Sequence, residues 1–157
     1  MPRSPARPVR GHPRKPPNLT DPHSPKPPSD TPPQRYAVLH HTGHGEPHFD
    51  LLIGRFDAPL ITLRLPTWPV RGRLSLTRLP DHRPIYLDYE GPVSGNRGEV
   101  KRVEAGTCDA TGDWLRAQPT QLRLHVSEID GKPAHSERFQ SLTLSMADGW
   151  IEPAASD

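Results

Sequence analysis

The sequence has a single cysteine, Cys108, among 157 residues, so an internal disulfide framework is excluded. No stretch approaches the roughly 20 apolar residues that cross a membrane. No apolar segment follows the first charged residues, as a secretory signal requires. No window of a dozen residues has the apolar stripe of an amphipathic helix. We therefore expect a soluble, cytoplasmic protein that has no membrane partner and is built mainly from strands.

The prolines divide the chain into two parts. Twelve of the 22 prolines lie in residues 1–35, where Val9 and Leu19 are the only large aliphatic residues. Such a segment buries too little apolar surface to offset its chain entropy, so residues 1–34 are predicted to form a disordered Pro-rich tail. Residues 1–35 hold seven Lys and Arg against two Asp, so the basic excess of the chain comes from here. This tail is either a solvated linker or a loose contact for nucleic acid or an acidic partner.

Residues 35–153 are predicted to form one domain of short strands separated by turns. Apolar and β-branched runs recur about every ten residues, at 36–41, 48–53, 59–65, 73–79, 85–89, 99–104, 121–127 and 139–145. This spacing favours an all-β fold, either a small barrel or a sandwich. Residues 85–89 alternate cleanly and are predicted to form a strand. Residues 99–104 are predicted to be a strand that ends at a turn over 105–107.

Histidines are concentrated at the first predicted hairpin, where four of the nine lie within residues 40–48. Side chains alternate along a strand, so His48 and Asp50 share one face while Phe49 and Leu51 share the other. The Gly and Pro residues of 43–47 predict a turn that brings His40 or His41 back beside this pair. Two imidazoles and a carboxylate suit a borderline divalent ion such as manganese or zinc. The alternative is that these histidines are ordinary polar residues of a loop.

A second group of polar residues lies at 82–90. On an extended segment His82 and Tyr86 fall on the same face because they are four residues apart. An imidazole that donates to a phosphoryl oxygen, supported by a tyrosine hydroxyl, is suited to stabilise charge or to act as a general acid. The alternative is that Tyr86 is an ordinary amphipathic residue of a sheet and His82 a residue of a loop.

The order of residues in this second group resembles a known family. Residues 82–91, HRPIYLDYEG, resemble the His-x-x-x-Tyr and Asp-aromatic-Glu-Gly signature of the 3′-phosphoesterase domain of bacterial DNA ligase D. His48-Phe49-Asp50 is similar to the His-aromatic-Asp motif of that family, and residues 91–107 are similar to its Gly-rich segment. The resemblance covers roughly residues 35–153, rests on two short motifs, and is closest to the short stand-alone members.

The resemblance implies a compact, closed β-barrel of antiparallel strands with a metal-dependent enzymatic activity. It implies removal of a 3′-phosphate or a 3′-ribonucleoside from DNA or RNA ends in DNA repair, with Mn²⁺ or another divalent metal such as Zn²⁺ or Co²⁺. The implied partners are nucleic-acid 3′ ends and a DNA ligase or end-joining protein. By the same resemblance His48 and Asp50 are metal ligands, and His82 and Tyr86 face the phosphate. The third metal ligand is expected to be His41, with His40 and His44 as alternatives.

Two residues depart from the ligase-fused pattern. That pattern has a phosphate-binding arginine two residues after the aspartate, where this chain has Leu52, and a lysine where this chain has Thr67. A phosphate dianion needs cationic neutralisation, which Arg64, Arg73, Arg78 or Arg97 could supply. Two hypotheses follow, namely a manganese-dependent phosphoesterase and a catalytically silent module of the same fold that binds nucleic-acid ends or acts as an adaptor.

Overall fold

The computed structural model describes residues 34–110 and 119–155, so all of the predicted tail except Gln34 lies outside the described residues. In the described part of the chain every paired strand is antiparallel to its neighbour. The strands are β1 (Gln34–Thr42), β2 (His48–Gly54), β3 (Leu60–Leu65), β4 (Leu74–Ser75), β5 (Thr77–His82), β6 (Gly91–Pro92), β7 (Glu99–Ala110), β8 (Thr120–Ile129), β9 (Lys132–Ser145) and β10 (Trp150–Pro153). A 3₁₀ helix spans Pro84–Leu87. Over these residues no helix has the length and apolar character needed to cross a membrane.

The sheet is nearly closed because its two ends are adjacent in sequence. Nine strands follow one another in the order β4-β10-β9-β8-β7-β1-β2-β3-β5, and β6 pairs with β7 beside this path. β4 pairs with β10 while β5 pairs with β3, and Leu76 alone separates β4 from β5. The Leu76 N–H donates to the Gly149 carbonyl at 2.9 Å. Residues 74–82 thus join the two ends of the sheet, which confirms the predicted all-β barrel.

The barrel encloses one apolar core, and a second, smaller core lies on the outside of β1 and β2. The interior core includes side chains from most of the strands, among them Val38, Leu51, Leu63, Leu124 and Leu144. The outer core is formed by Ala37, Leu39, Leu52, Leu60, Leu87 and Val100. Leu87 belongs to the 3₁₀ helix and Val100 to the start of β7. The helix therefore lies against the outer surface of the β1–β2 pair, and the candidate site lies beside it.

The prediction of a strand over 85–89 is wrong. Pro84 is at the start of the 3₁₀ helix, where its fixed φ and missing N–H are tolerated. The N–H groups of Tyr86 and Asp88 donate to the carbonyls of Arg83 and Ile85, which is the i→i+3 pattern of a 3₁₀ helix. Ile85 is 58% exposed whereas Leu87 is fully buried, so the two do not share a face.

The predicted turn over 105–107 is also wrong, because β7 continues to Ala110. A register shift against β8 falls between Ala105 and Gly106, and such an irregularity bends a strand without ending it. The predicted strand runs 121–127 and 139–145 lie in β8 and β9, which pair with each other and place Leu122 opposite Leu142.

Candidate metal centre

The structure brings together the three residues predicted to bind a metal. His41 on β1 is directly opposite His48 on β2, and Leu39 is opposite Asp50. Directly opposed residues of an antiparallel pair point to the same side, so His41, His48 and Asp50 share the outer face of the barrel. One ligand atom from each lies within 4.8 Å of the others. His48 is 5% and Asp50 3% exposed, so the cluster is largely shielded from water.

The hydrogen bonds of the two imidazoles determine which ring nitrogens are free. His48 Nδ1 lies 2.9 Å from the Glu46 carbonyl, and His41 Nε2 lies 2.7 Å from the Arg97 carbonyl. Because a carbonyl oxygen only accepts, each of these nitrogens carries the hydrogen and donates. The other nitrogens, His48 Nε2 and His41 Nδ1, lie 3.3 Å and 3.7 Å from the Asp50 carboxylate. A backbone carbonyl that fixes the ring in this way is the usual support of a metal-binding histidine.

Two of these facing atoms, His48 Nε2 and Asp50 Oδ1, are buried and have no hydrogen-bond partner within residues 34–110 and 119–155. By contrast, the buried carboxylate of Glu104 accepts hydrogen bonds from Tyr36, Trp68 and Gln140. Burying an acceptor without a partner is costly, and two acceptors that face each other repel unless a proton or a metal cation lies between them. Two imidazole nitrogens and one carboxylate are a donor set that suits a divalent transition metal. The residues present therefore fit the metal that the sequence implies.

The structure shows which of the three histidines considered as the third metal ligand lies at the cluster. His40 stacks on Phe49, with ring centroids 4.5 Å apart, and is opposite it in register. It therefore lies on the face away from Asp50. His44 lies in the turn between β1 and β2, and its ring centroid is 6.3 Å from that of His41. His41 is the one whose nitrogen joins the cluster.

A cavity of about 460 Å³ adjoins the cluster and contains the second predicted group of residues. His41, Asp50, His82 and Tyr86 all line it. The His82 and Tyr86 rings meet edge to face at 5.6 Å, and His82 Nδ1 donates to the Pro80 carbonyl at 3.0 Å, leaving Nε2 free. The two groups meet because β5 ends at His82 and the 3₁₀ helix that follows carries Tyr86 to the outer face of β1 and β2.

Three arginines line the same cavity, which we call the arginine-lined cavity: Arg64, Arg83 and Arg97. Among the described residues no carboxylate forms an ion pair with any of them. Leu52 is fully buried in the outer core, so the position that carries arginine in the resembling family contributes no charge. Arg64 and Arg97 were candidates from the sequence, and Arg83 was missed because it lies inside the motif assigned to His82 and Tyr86.

The two other arginines considered from the sequence lie elsewhere. Arg73 pairs with Glu152 at 2.9 Å, and Arg78 pairs with Asp81 at 3.6 Å. Neither of the two lines the cavity. The positive charge available to a bound anion therefore comes from β3, from the residue before the 3₁₀ helix, and from the loop before β7.

An ion-pair network holds the end of the 3₁₀ helix in place. Asp88 follows the helix and accepts hydrogen bonds from Arg35 at 2.8 Å and Arg102 at 3.1 Å. Arg102 also donates to the Leu87 carbonyl and to Glu128. The hydrogen bond from Arg35 is the main reason that the pKa of Asp88 is lowered, and Arg102 adds to it. The network ties the helix that carries Tyr86 to β1 and β7.

Acid is expected to release this network. Because the pKa of Asp88 is lower in the folded state, its contribution is present at neutral pH and is lost as the pH falls through that lowered pKa. Asp88→Asn should therefore lower the urea midpoint of unfolding at pH 7 and lower it by clearly less at pH 3. The matched control is Asp57→Asn, which changes an exposed aspartate 3.8 Å from Arg55 and should have little effect at either pH. If Asp88→Asn lowers the urea midpoint equally at both pH values, the expectation is contradicted.

A comparison of the chain with protein-family models and with curated proteins finds no match. The functional conclusion therefore depends on the chemistry of the His41, His48 and Asp50 cluster and of the cavity beside it.

Proposed function

We propose that the protein is a metal-dependent phosphoesterase that processes the 3′ ends of DNA or RNA in DNA repair. Its reaction is removal of a 3′-phosphate or a 3′-ribonucleoside. The proposal rests mainly on one observation: ligand atoms of His41, His48 and Asp50 lie within 4.8 Å of one another beside a cavity lined by His82, Tyr86 and three arginines. The same cavity thus combines a cation-binding cluster with groups that bind and neutralise a phosphate.

His41, His48 and Asp50 would hold the metal, which is manganese by the resemblance, or another divalent ion such as zinc or cobalt. A divalent ion in such a site polarises a phosphoryl oxygen and lowers the pKa of bound water. The guanidinium groups supply planar hydrogen-bond donors and charge that match phosphate oxygens. His82 is oriented by the Pro80 carbonyl, so its Nε2 can hold a proton for a phosphoryl or leaving oxygen. The Tyr86 hydroxyl adds a donor to the charge that develops in the transition state.

Nucleic acid is the substrate class that the charge of the chain supports best. The cavity carries three arginines without carboxylate partners in the described part of the chain, and residues 1–35 add a basic excess. Contacts between such residues and a phosphate backbone release counterions and favour binding at low salt. A DNA ligase or an end-joining protein is the proposed partner, because a 3′ end trimmed to a hydroxyl is what strand joining consumes.

The second candidate function is a catalytically silent module that binds nucleic-acid ends. The observation that favours it is the fully buried Leu52, which stands where the resembling enzymes have a phosphate-binding arginine. In this case the metal cluster and the arginine-lined cavity would bind a nucleic-acid end without catalysing a reaction.

Phosphate release from a duplex with a recessed 3′-phosphate distinguishes the two candidates. We expect release that depends on added Mn²⁺ and falls by at least about 100-fold in His82→Gln, since losing one acid–base group typically costs 100-fold or more. His135→Gln is the matched control, because His135 is an exposed histidine of β9, and it should retain wild-type release. Binding of the duplex without any release, over a full manganese titration, would overturn the phosphoesterase and support the silent module.

A further inference from the structure

A second cavity shares Arg64 and His44 with the arginine-lined cavity. It has a volume of about 490 Å³ and is lined by Pro47, Pro66, Ser75 and Thr77, among others. We call it the hydroxyl-lined cavity. Arg64 and His44 line both cavities, whereas Asp50 lines only the first and His48 only the second. Residues of the candidate metal cluster therefore border two cavities, each of a size that holds a small ligand.

The register of β2, β3 and β5 shows the order of the residues that border the two cavities on the outer face of the barrel. Asp50 on β2 is opposite Arg64 on β3, and Arg64 is opposite Thr77 on β5. The three side chains form one row across adjacent strands, because opposed residues share a face. Arg64 is exposed at its centre. A phosphate bound to Arg64 beside the cluster would therefore have free space on both sides.

The two cavities differ in charge, and the difference indicates what each can hold. The arginine-lined cavity has three guanidinium groups and two carboxylates, namely Asp50 of the metal cluster and Asp81, which pairs with Arg78. Among the described residues, the hydroxyl-lined cavity has Arg64 as its only Lys or Arg and also contains Glu46. Glu46 disfavours a second phosphate there. Ser75, Thr77 and Glu46 offer hydrogen bonds to hydroxyl and amino groups, while Pro47 and Pro66 offer flat apolar surface. A neutral, polar, partly apolar group such as a nucleoside matches this lining.

We propose that the hydroxyl-lined cavity is a subsite for a nucleoside attached to the phosphate that Arg64 binds, so that the preferred substrate is a phosphodiester. A phosphomonoester has one organic substituent and needs one cavity, whereas a diester has two and uses both. Hydrolysis of the diester breaks one P–O bond and forms another from the water oxygen, and the leaving oxygen takes up a proton. The inference rests on the proposed function, because it places the phosphate at the candidate metal centre.

The test measures binding, so that it does not depend on turnover. The probes are the phosphorothioate of thymidylyl-3′,5′-thymidine, as the diester, and thymidine 3′-phosphorothioate, as the monoester; both keep a negative charge and hydrolyse slowly. Calorimetric titrations with Mn²⁺ compare the wild type with Thr77→Tyr and Ser75→Tyr, which fill the hydroxyl-lined cavity. Ser141→Tyr is the matched control, because Ser141 is an exposed serine of β9 outside both cavities. Circular dichroism checks that each variant is folded.

We expect the wild type to bind the diester about tenfold more tightly than the monoester, as a second filled pocket allows. Thr77→Tyr and Ser75→Tyr should remove this preference by weakening the diester alone, and Ser141→Tyr should keep it. An undiminished preference in both cavity variants, an equal loss with both probes, or no binding of either probe to the wild type would overturn the inference. If the phosphoesterase proposal fails instead, phosphate release is absent while the diester preference and its loss in the variants are still observed.

Discussion

Replacing Asp50 with Asn is expected to abolish metal binding while leaving the metal-free fold at least as stable as the wild type. The Asp50 Oδ1 and His48 Nε2 atoms are buried and lack hydrogen-bond partners in the described part of the chain. An amide at position 50 can donate a hydrogen bond to that nitrogen, which removes an unsatisfied pair that costs about 1–3 kcal/mol for each group. The same change removes the only carboxylate of the cluster, so metal affinity should fall by at least about 100-fold, more than losses that follow from supporting residues alone.

The measurement is thermal unfolding with and without Mn²⁺, together with a direct metal titration. Manganese at about 100 times its dissociation constant should stabilise the wild type by about 2.7 kcal/mol and should not stabilise Asp50→Asn. Asp81→Asn is the matched control, because Asp81 lines the same cavity but pairs with Arg78; it should keep the metal response. If Asp50→Asn is still stabilised by manganese, these residues do not form the metal site.

Gly98→Ala is expected to cost about 3 kcal/mol of stability and to damage the site as well, by a combination of backbone strain and overpacking. Gly98 has φ +79°, and a Cβ placed there would lie 2.0 Å from the Thr42 carbonyl oxygen on β1. The loop before β7 would have to move away from β1. That movement would displace the neighbouring Arg97 carbonyl, which holds the His41 ring through Nε2.

Gly95→Ala is the control for this prediction, because Gly95 has nearly the same φ, +78°, in the same loop. Its nearest neighbour would be the end of the Arg97 side chain at 3.6 Å, so only the backbone strain of about 1 kcal/mol remains. Urea unfolding of both variants gives the difference in stability, and manganese titration gives the effect on the cluster. Similar losses of stability in the two variants would mean that the contact with Thr42 is not what limits position 98.

The parts of the structure that depend on local sequence pattern could be predicted from the sequence. Alternation in 48–53 predicted that His48 and Asp50 share a face, and the turn at 43–47 predicted that β1 returns beside them. The number and spacing of strands favoured an all-β fold but could not distinguish a barrel from a sandwich. Closure depends on the pairing of β4 with β10, residues about 75 positions apart, and no local pattern records that pairing.

The parts that the sequence did not predict depend on contacts between distant segments. Residues 85–89 alternate as a strand would, but Pro84 and the burial of Leu87 against β1 and β2 select a 3₁₀ helix instead. Arg64 was only one of four arginines that could bind the phosphate, and its place beside Asp50 follows from the β2–β3 register. His41 was the expected third ligand from the resemblance, but excluding the alternative His40 required knowing which ring lies on the outer face.

Closure of the barrel by residues 74–82 also constrains the order in which the chain can fold. All residues of the metal cluster are present once β1 and β2 have formed, but β4 has no partner until β10, the last strand of the described chain, is available. Until then β4 and β9 are open edges that can pair with other chains. Contacts of such long sequence separation slow folding. Pairing of β10 with β4 and β9 is therefore the step that ends the exposure of these edges to aggregation.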